Sequence, residues 1–169
     1  MGNLPFVRES VANLIGAASD NGSVLIYDGY FDPELFQHPD VLPHLISAVD
    51  RGVNVEVICD TSAQITEPGI QQLIAHGKIK VYRIDMDKRD GLRGIFSKYN
   101  IGRGHYMVVD GEHVRTEEPH KLESDKRDAR IEYVEPTKGY RYSTDFDTIK
   151  REIMPQSSRR NHTSSSIFL

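Results

Sequence analysis

The sequence predicts an α/β domain built on a mixed sheet, and three observations carry that expectation. Segments of helical and strand periodicity alternate through the first 84 residues. A stretch without sustained periodicity follows, from 85 to 102. After it come closely spaced strand segments joined through Asp110-Gly111, a tight-turn pair. Helix-length connections imply parallel strands and right-handed crossovers, whereas a tight turn implies an antiparallel pair, so the sheet is expected to be mixed. At 169 residues the chain is long enough to bury a core without disulfide or metal staples.

The elements read in order as follows. Residues 5–19 form an amphipathic helix, with Val7, Val11, Leu14, Ile15 and Ala18 on one face, Pro5 in the first turn and Asp20-Asn21-Gly22 as the stop. Val24–Asp28 is a short apolar strand of the kind buried on both faces. A helix over Pro39–Arg51 is expected to be capped by Asp40 and ended by Gly52. Val53–Cys59 alternates as a strand, Glu67–His76 is a third helix closed by Gly77, and Ile79–Ile84 is a third strand. The stretch from 85 to 102 is expected to be a loop with one helical turn near Leu92–Phe96, and a loop of that length is often functional. Tyr106–Val109 and Glu112–Thr116 form a hairpin, 117–128 a charged loop, Ala129–Val134 a strand, and Thr144–Met154 a last helix with Thr144 as cap. The expected division is one domain over 1–154 and a flexible tail over 155–169. That tail is rich in Ser and Arg, and its apolar end Ile167-Phe168-Leu169 is alternatively a docking element for a partner.

Bulk properties narrow the function classes. The net charge of −4 argues against whole-surface attraction to nucleic acid or anionic membrane. Lys88, Arg89, Arg93, Lys98 and Arg103 cluster, but Asp85, Asp87 and Asp90 are interleaved, so the run reads as a solvated loop before it reads as a basic patch. No apolar run is long enough for a membrane span. The lone Cys59 excludes an internal disulfide and a zinc ribbon. With no pattern of a secretory leader, a reducing, cytoplasmic location is expected. No cofactor is called for: dinucleotide fingerprint, P-loop and nucleophile elbow are all missing.

The most informative stretch is Arg103-Gly-His105-Tyr-Met-Val-Val-Asp110-Gly111. Arg103 and His105 stand two apart at the entry of a buried strand, so on an extended chain they share a face. Arg115 lies on the partner strand and Asp110 at the turn. Arg103, His105, Asp110 and Arg115 are therefore the candidate ligand-binding residues, with Arg's planar fork suited to phosphate or carboxylate. The plainer alternative is that Arg103 pairs with Asp110 or Glu117 and that His105 merely begins a strand.

The order helix-strand three times over, a long loop, and a strand ending Val108-Val109-Asp110-Gly111 resembles one lobe of the phospholipase D superfamily. The resemblance implies a single-lobe mixed sheet flanked by helices. It also implies a site of the His-x-Lys-x4-Asp type, in which a His attacks phosphorus, without metal, where two lobes meet. Aligned on Val108-Val109-Asp110, the family's Asp falls on Asp110, its Lys on His105 and its His on Arg103; the following Gly-Ser falls on Glu117 and Glu118, and the Asn on His120. Arg103 cannot serve as nucleophile, because a guanidinium stays protonated at any working pH, and two acids stand where the family offers donors. Shifting the register so that His105 takes the nucleophile's place puts Met107 at the Lys position and leaves Asp110 two residues early.

These readings converge on a catalytically degenerate phospholipase D-like domain, a pseudoenzyme acting in recognition or assembly. It is expected to pair as a homodimer through the face that joins lobes in the family. Its ligand would be phosphate-bearing, a nucleic acid or a lipid headgroup. Two alternatives stay open: a divergent metal-independent phosphodiesterase or nuclease with His105 catalytic across a homodimer, and a plain α/β protein-interaction domain. Two further clusters have weaker readings. His105, His113 and His120 are spaced to approach each other on a hairpin. Asp28 and Asp32 at the end of the first strand are placed to hold a Mg²⁺ or orient a His, or simply to cap the loop while Tyr30 and Phe31 pack the core.

Overall fold

The computed structural model describes residues 4–85, 92–99, 104–118 and 129–154. In chain order the elements are α1 (Leu4–Gly16), β1 (Ser23–Tyr27), α2 (Leu42–Asp50), β2 (Asn54–Asp60), α3 (Pro68–Ala75), β3 (Ile79–Ile84), α4 (Leu92–Tyr99), β4 (His105–Val109), β5 (His113–Glu117), β6 (Ala129–Glu132) and α5 (Pro136–Ile153). The six strands form one sheet in the order β3-β2-β1-β4-β5-β6. β1, β2 and β3 are parallel, as the helix-length connections between them require, and β4, β5 and β6 run antiparallel. The expected mixed α/β sheet flanked by helices is what forms.

Each face of the sheet buries its own core. On one face Val24, Ile26, Val55, Val57, Ile79, Met107 and Val109 pack with Val7, Val11, Leu14 and Ile15 of α1, Leu45 and Val49 of α2, and Ile70 of α3. On the other, Tyr27, Ile58, Ile84, Tyr106 and Val108 pack against Ile95 and Phe96 of α4 and Phe146 and Ile149 of α5. With both faces covered, the central strands carry nearly continuous apolar runs.

Several boundaries differ from the sequence reading, each for a local reason. α2 begins at Leu42, not Pro39, and Val41 occupies the cap without a side-chain bond. Asp40 does not cap it; its carboxylate faces His38 at 3.3 Å. The Val41 and Leu42 N–H groups close a turn on the His38 carbonyl, and Pro43 then fixes the first helical turn. α4 runs from Leu92 to Tyr99, longer than the single turn expected at 92–96; Phe96 packs edge-on against Tyr27, ring centres 5.9 Å apart, a tertiary contact that periodicity does not report.

α5 begins at Pro136 and spans 18 residues, so Thr144 lies inside it and donates its hydroxyl to the Tyr140 carbonyl at 2.9 Å. The first half carries no helical signature in the sequence because Gly139 and its polar neighbours break the apolar stripe. Gly139 is there for space: a Cβ would collide with the Gly111 carbonyl, where α5 crosses the β4–β5 turn. β6 ends at Glu132, short of Val134, whose φ of +55° turns the chain away while its N–H donates to His113 Nδ1 at 3.0 Å. Tyr30, expected in the core, is half-exposed, whereas Phe31 is fully buried. The 117–128 loop and the 155–169 tail fall almost wholly outside the described residues, as does most of 85–102.

Two small extensions decide the site. β4 starts at His105 instead of Tyr106, and β5 runs on to Glu117 instead of ending at Thr116. Both residues are thereby fixed in the ladder, opposite one another.

Candidate functional site

β4 runs antiparallel to β1, so it begins where β1 ends. Tyr27 pairs with Tyr106, and the next residue along each strand brings His105 to Asp28. His105 Nδ1 lies 3.6 Å from Asp28 Oδ2, longer than a hydrogen bond and close enough for a strong charge interaction. On the neighbouring strand, Glu117 pairs with His105 and Arg115 with Met107, which puts His105, Arg115 and Glu117 on one face of the sheet. The Arg115 guanidinium forms an ion pair with the Glu117 carboxylate. All four side chains are buried: Arg115 is 1% exposed, Glu117 3%, Asp28 3% and His105 9%.

Local sequence explains how the four arrive. Asp28 follows the apolar strand and accepts the Tyr30 N–H at 3.0 Å, capping the loop that leaves β1. Gly104 admits β5 close to the chain entering β4, since a Cβ there would come within 2.8 Å of the Glu117 carbonyl oxygen. Asp32 caps the same loop by accepting the Glu34 N–H at 2.9 Å. The capping role of Asp28 and its place beside a His both stand as the sequence suggested. Among the described residues no group of three or more His, Cys, Asp or Glu side chains is gathered to share a metal.

The electrostatics follow from burial and pairing. Burial alone would push Asp28 up, but contact with His105 and the positive charges of His105 and Arg115 hold its carboxyl below the usual range. Burial likewise opposes a charged His105, but Asp28 and then Glu117 outweigh it and raise the imidazole above its ordinary value. With His105 protonated, the cluster contains two cations and two anions. Each buried cation is answered by a carboxylate, and the set is internally neutral.

The candidate residues do not all meet. His105 and Arg115 stand together. Asp110 lies at the opposite end of β4, five residues away along the strand, roughly 17 Å at 3.3–3.4 Å per residue. There its carboxylate accepts the N–H groups of Ser19 at 2.7 Å and Ser23 at 2.9 Å. Those donors outweigh partial burial and hold it below the usual carboxylate range. Asp110 at φ +54° and Gly111 at +72°, with Glu112 N–H bonded to the Val109 carbonyl, make the tight turn the Asp-Gly pair foretold. Arg103 and His120 lie outside the described residues. His105 and His113 do not approach each other: they occupy opposite ends of the hairpin, facing Glu117 and Val109 respectively. The sequence undervalued Glu117. Its i, i+2 spacing from Arg115 on a strand was the available sign that both face the same side.

On the reverse face of the same end, Tyr106 stacks between Tyr27 at 5.0 Å and Tyr142 at 4.8 Å between ring centres. The Tyr106 hydroxyl is buried with no hydrogen-bond partner among the described residues, and burial raises its pKa and that of Tyr27.

No protein-family model matches the sequence, and no curated protein matches it significantly in sequence. Solved structures do match in fold. NucT from Helicobacter pylori aligns with TM-score 0.61 at 14% identity, over 88% of this chain and 90% of its own. Nuc from Salmonella typhimurium, a phospholipase D family member, aligns with TM-score 0.56 at 18% identity, over 86% of this chain and 87% of its own. The fold is that of a single phospholipase D-like lobe. TrmBL2, an archaeal chromatin protein with a novel mode of DNA binding, aligns with TM-score 0.61 at 13% identity over 90% of this chain. This chain spans about half of that protein's length (51%). At these identities the likeness is one of fold. Within the lobe, the buried Asp28–His105–Arg115–Glu117 cluster sits at the carboxyl ends of the parallel strands, the usual place for an α/β ligand site. No helix among the described residues is long and apolar enough to cross a membrane.

Proposed function

We propose that this lobe is a recognition or assembly module that has given up phosphohistidine chemistry. The observation that carries the proposal is the internal neutrality of the site end: Arg115 is committed to Glu117, and His105 faces Asp28. A phosphodiester needs donors held in reserve, and here two carboxylates already occupy the two cations. In register with the family motif, Arg103 stands at the nucleophile's position and His105 at the lysine's. A phosphate-bearing ligand at this end would have to compete with Asp28 for His105 or with Glu117 for Arg115; Asp110 acts at the far end of the strand, on the backbone. Because one structural neighbour is a DNA-binding chromatin protein, a short oligonucleotide is the first ligand to try, then a phosphoinositide headgroup. The assembly expected is a homodimer.

The test is turnover of bis-p-nitrophenyl phosphate and of DNA without added metal, together with calorimetric titration of oligonucleotide at pH 6 and pH 8. We expect no turnover, and binding that strengthens at pH 6 as His105 gains its proton. Turnover that disappears in His105→Ala, with the fold intact by circular dichroism, overturns the proposal.

One observation favours a second reading, a metal-independent phosphodiesterase or nuclease working across a homodimer. Asp28 lies against Nδ1 of His105, an arrangement that orients an imidazole so that its Nε2 can act as base or nucleophile. Under that reading, activity rises with the dimer fraction and falls in Asp28→Asn.

A further inference from the structure

β5 begins at His113, at the end of the β4–β5 hairpin remote from His105, and its imidazole faces the corner where β6 passes into α5. The Val134 N–H donates to His113 Nδ1 at 3.0 Å. A ring nitrogen that accepts carries no proton, so this bond fixes the neutral imidazole with its hydrogen on Nε2. Nε2 in turn lies 3.6 Å from Glu112 Oε1, and the Tyr133 ring stands edge-on to the imidazole, centres 5.8 Å apart. Val134 holds φ +55°, a left-handed conformation that a β-branched residue adopts only under constraint. Its side chain is 64% exposed, so packing does not supply that constraint. Two further contacts join the corner to the hairpin turn. The Glu135 N–H donates to the Glu112 carbonyl at 2.7 Å, and Gly139 lies against the Gly111 carbonyl. α5 starts directly on the corner: Glu135 is its N-cap and makes no side-chain capping bond.

We propose that His113 is a pH-sensitive latch: protonation at Nδ1 releases the Val134 corner and loosens the first turn of α5. Solvent reaches the imidazole, whose side chain is 14% exposed. When Nδ1 takes a proton, the acceptor becomes a donor and two N–H groups face each other. The bond to Val134 does not survive in that state, and an exposed valine without it relaxes toward negative φ. The surroundings answer the new charge. Glu112 stands at Nε2, and Asp110, in the same turn, attracts His113 through space. From β6 and α5 the charged groups are Glu132, opposite Val114, with Lys138 paired to it at 2.6 Å, and Glu135 at the cap. Lys138, the cation among them, is already answered by Glu132. The imidazolium is therefore supported by carboxylates, while the hydrogen bond that holds the corner is lost. The latch is separate from the His105 cluster, which lies at the other end of the hairpin.

NMR of the full chain from about pH 8 to pH 5, the range in which imidazoles gain their charge, tests the latch. As the His113 ring titrates, the hydrogen-exchange protection of Val134, corrected for the intrinsic rate at each pH, should fall at least tenfold with the same midpoint. The Val134 Cα and Cβ shifts should move with it toward values of extended backbone. The Gly139 N–H, bonded to the Glu135 carbonyl at 2.9 Å, should lose protection in step. His113→Asn puts a carbonyl oxygen that does not titrate in the place of Nδ1, and should hold the corner closed across the range. Val134→Gly removes the strain, since glycine is at ease at positive φ, and should keep the Cα shift at that position steady while His113 titrates. Val134 protection and shifts that stay level while His113 titrates, an imidazole that takes no proton in this range, or an equal pH response in His113→Asn each overturn the proposal. If His113→Asn is unfolded by circular dichroism, Val134→Gly decides: a Cα shift change as large as in the unmodified chain refutes the latch.

Discussion

The two ends of β4 carry the residues that look like one motif in the sequence, and they behave in opposite ways. At the entry, His105 is buried among Asp28, which follows β1, and Arg115 and Glu117 of β5. At the exit, Asp110 sits at the rim and spends its carboxylate on the backbone N–H groups of Ser19 and Ser23. The first end is a charge cluster whose members depend on one another; the second is a local cap that stabilises a turn. A shared strand does not make a shared site. Five residues of extended chain separate the two ends by roughly 17 Å, where five residues of helix would rise only about 7.5 Å.

The largest effect that separates the ends should come from Arg115→Met. It leaves Glu117 buried without its cation, and such breaks cost about 3–5 kcal/mol. Urea unfolding should show that loss, and Arg115→Met/Glu117→Leu should recover much of it, since the double change removes the orphaned charge as well. A double variant no better than the single would mean the pair is not coupled as its geometry indicates.

The next effect is in pH dependence. His105 is raised in the folded state, so its contribution is complete below its unfolded pKa and fades as pH rises through the folded value. Asp28 is lowered, so its contribution is complete above its unfolded pKa and fades as pH falls through its folded value. The pair therefore stabilises most between roughly 4 and 6.5, the two reference values, and weakens above that window. Thermal melts from pH 4 to pH 9 should show a fall on the alkaline side that flattens in His105→Gln. An unchanged alkaline slope in that variant would assign the fall to other groups.

Asp110→Ala should cost less, about 1–2 kcal/mol, as capping side chains do. It should leave the His105 titration followed by NMR where it was. A moved His105 titration would contradict the separation of the two ends. The smallest effect is Gly111→Ala, about 1 kcal/mol for placing a Cβ at φ +72°, again with no consequence at His105.

Much of the fold was legible because it is written in local pattern. Apolar periodicity located the parallel half, and Asp110-Gly111 announced the hairpin. Elements that draw their stability from remote contacts were harder to read. α4 depends on Phe96 meeting Tyr27, and the first half of α5 crosses the hairpin turn through the gap left by Gly139, so neither carries a periodic signature of its own. At the site, His105 and Arg115 were visible as polar residues on strands and Asp28 as a group able to orient a His, whereas Glu117 was not assigned to Arg115 and nothing in the sequence singled out His105 as the partner of Asp28. Asp28 is 77 residues from His105 in sequence, and only the antiparallel register of β1 and β4 brings them together. By itself the sequence determined which segments are strands, that the sheet is mixed, and that polar side chains stand at the entry of β4. The tertiary structure decided which of those side chains share a buried space, because charge pairing across strands depends on register and burial, and neither is encoded in the spacing of residues along one strand.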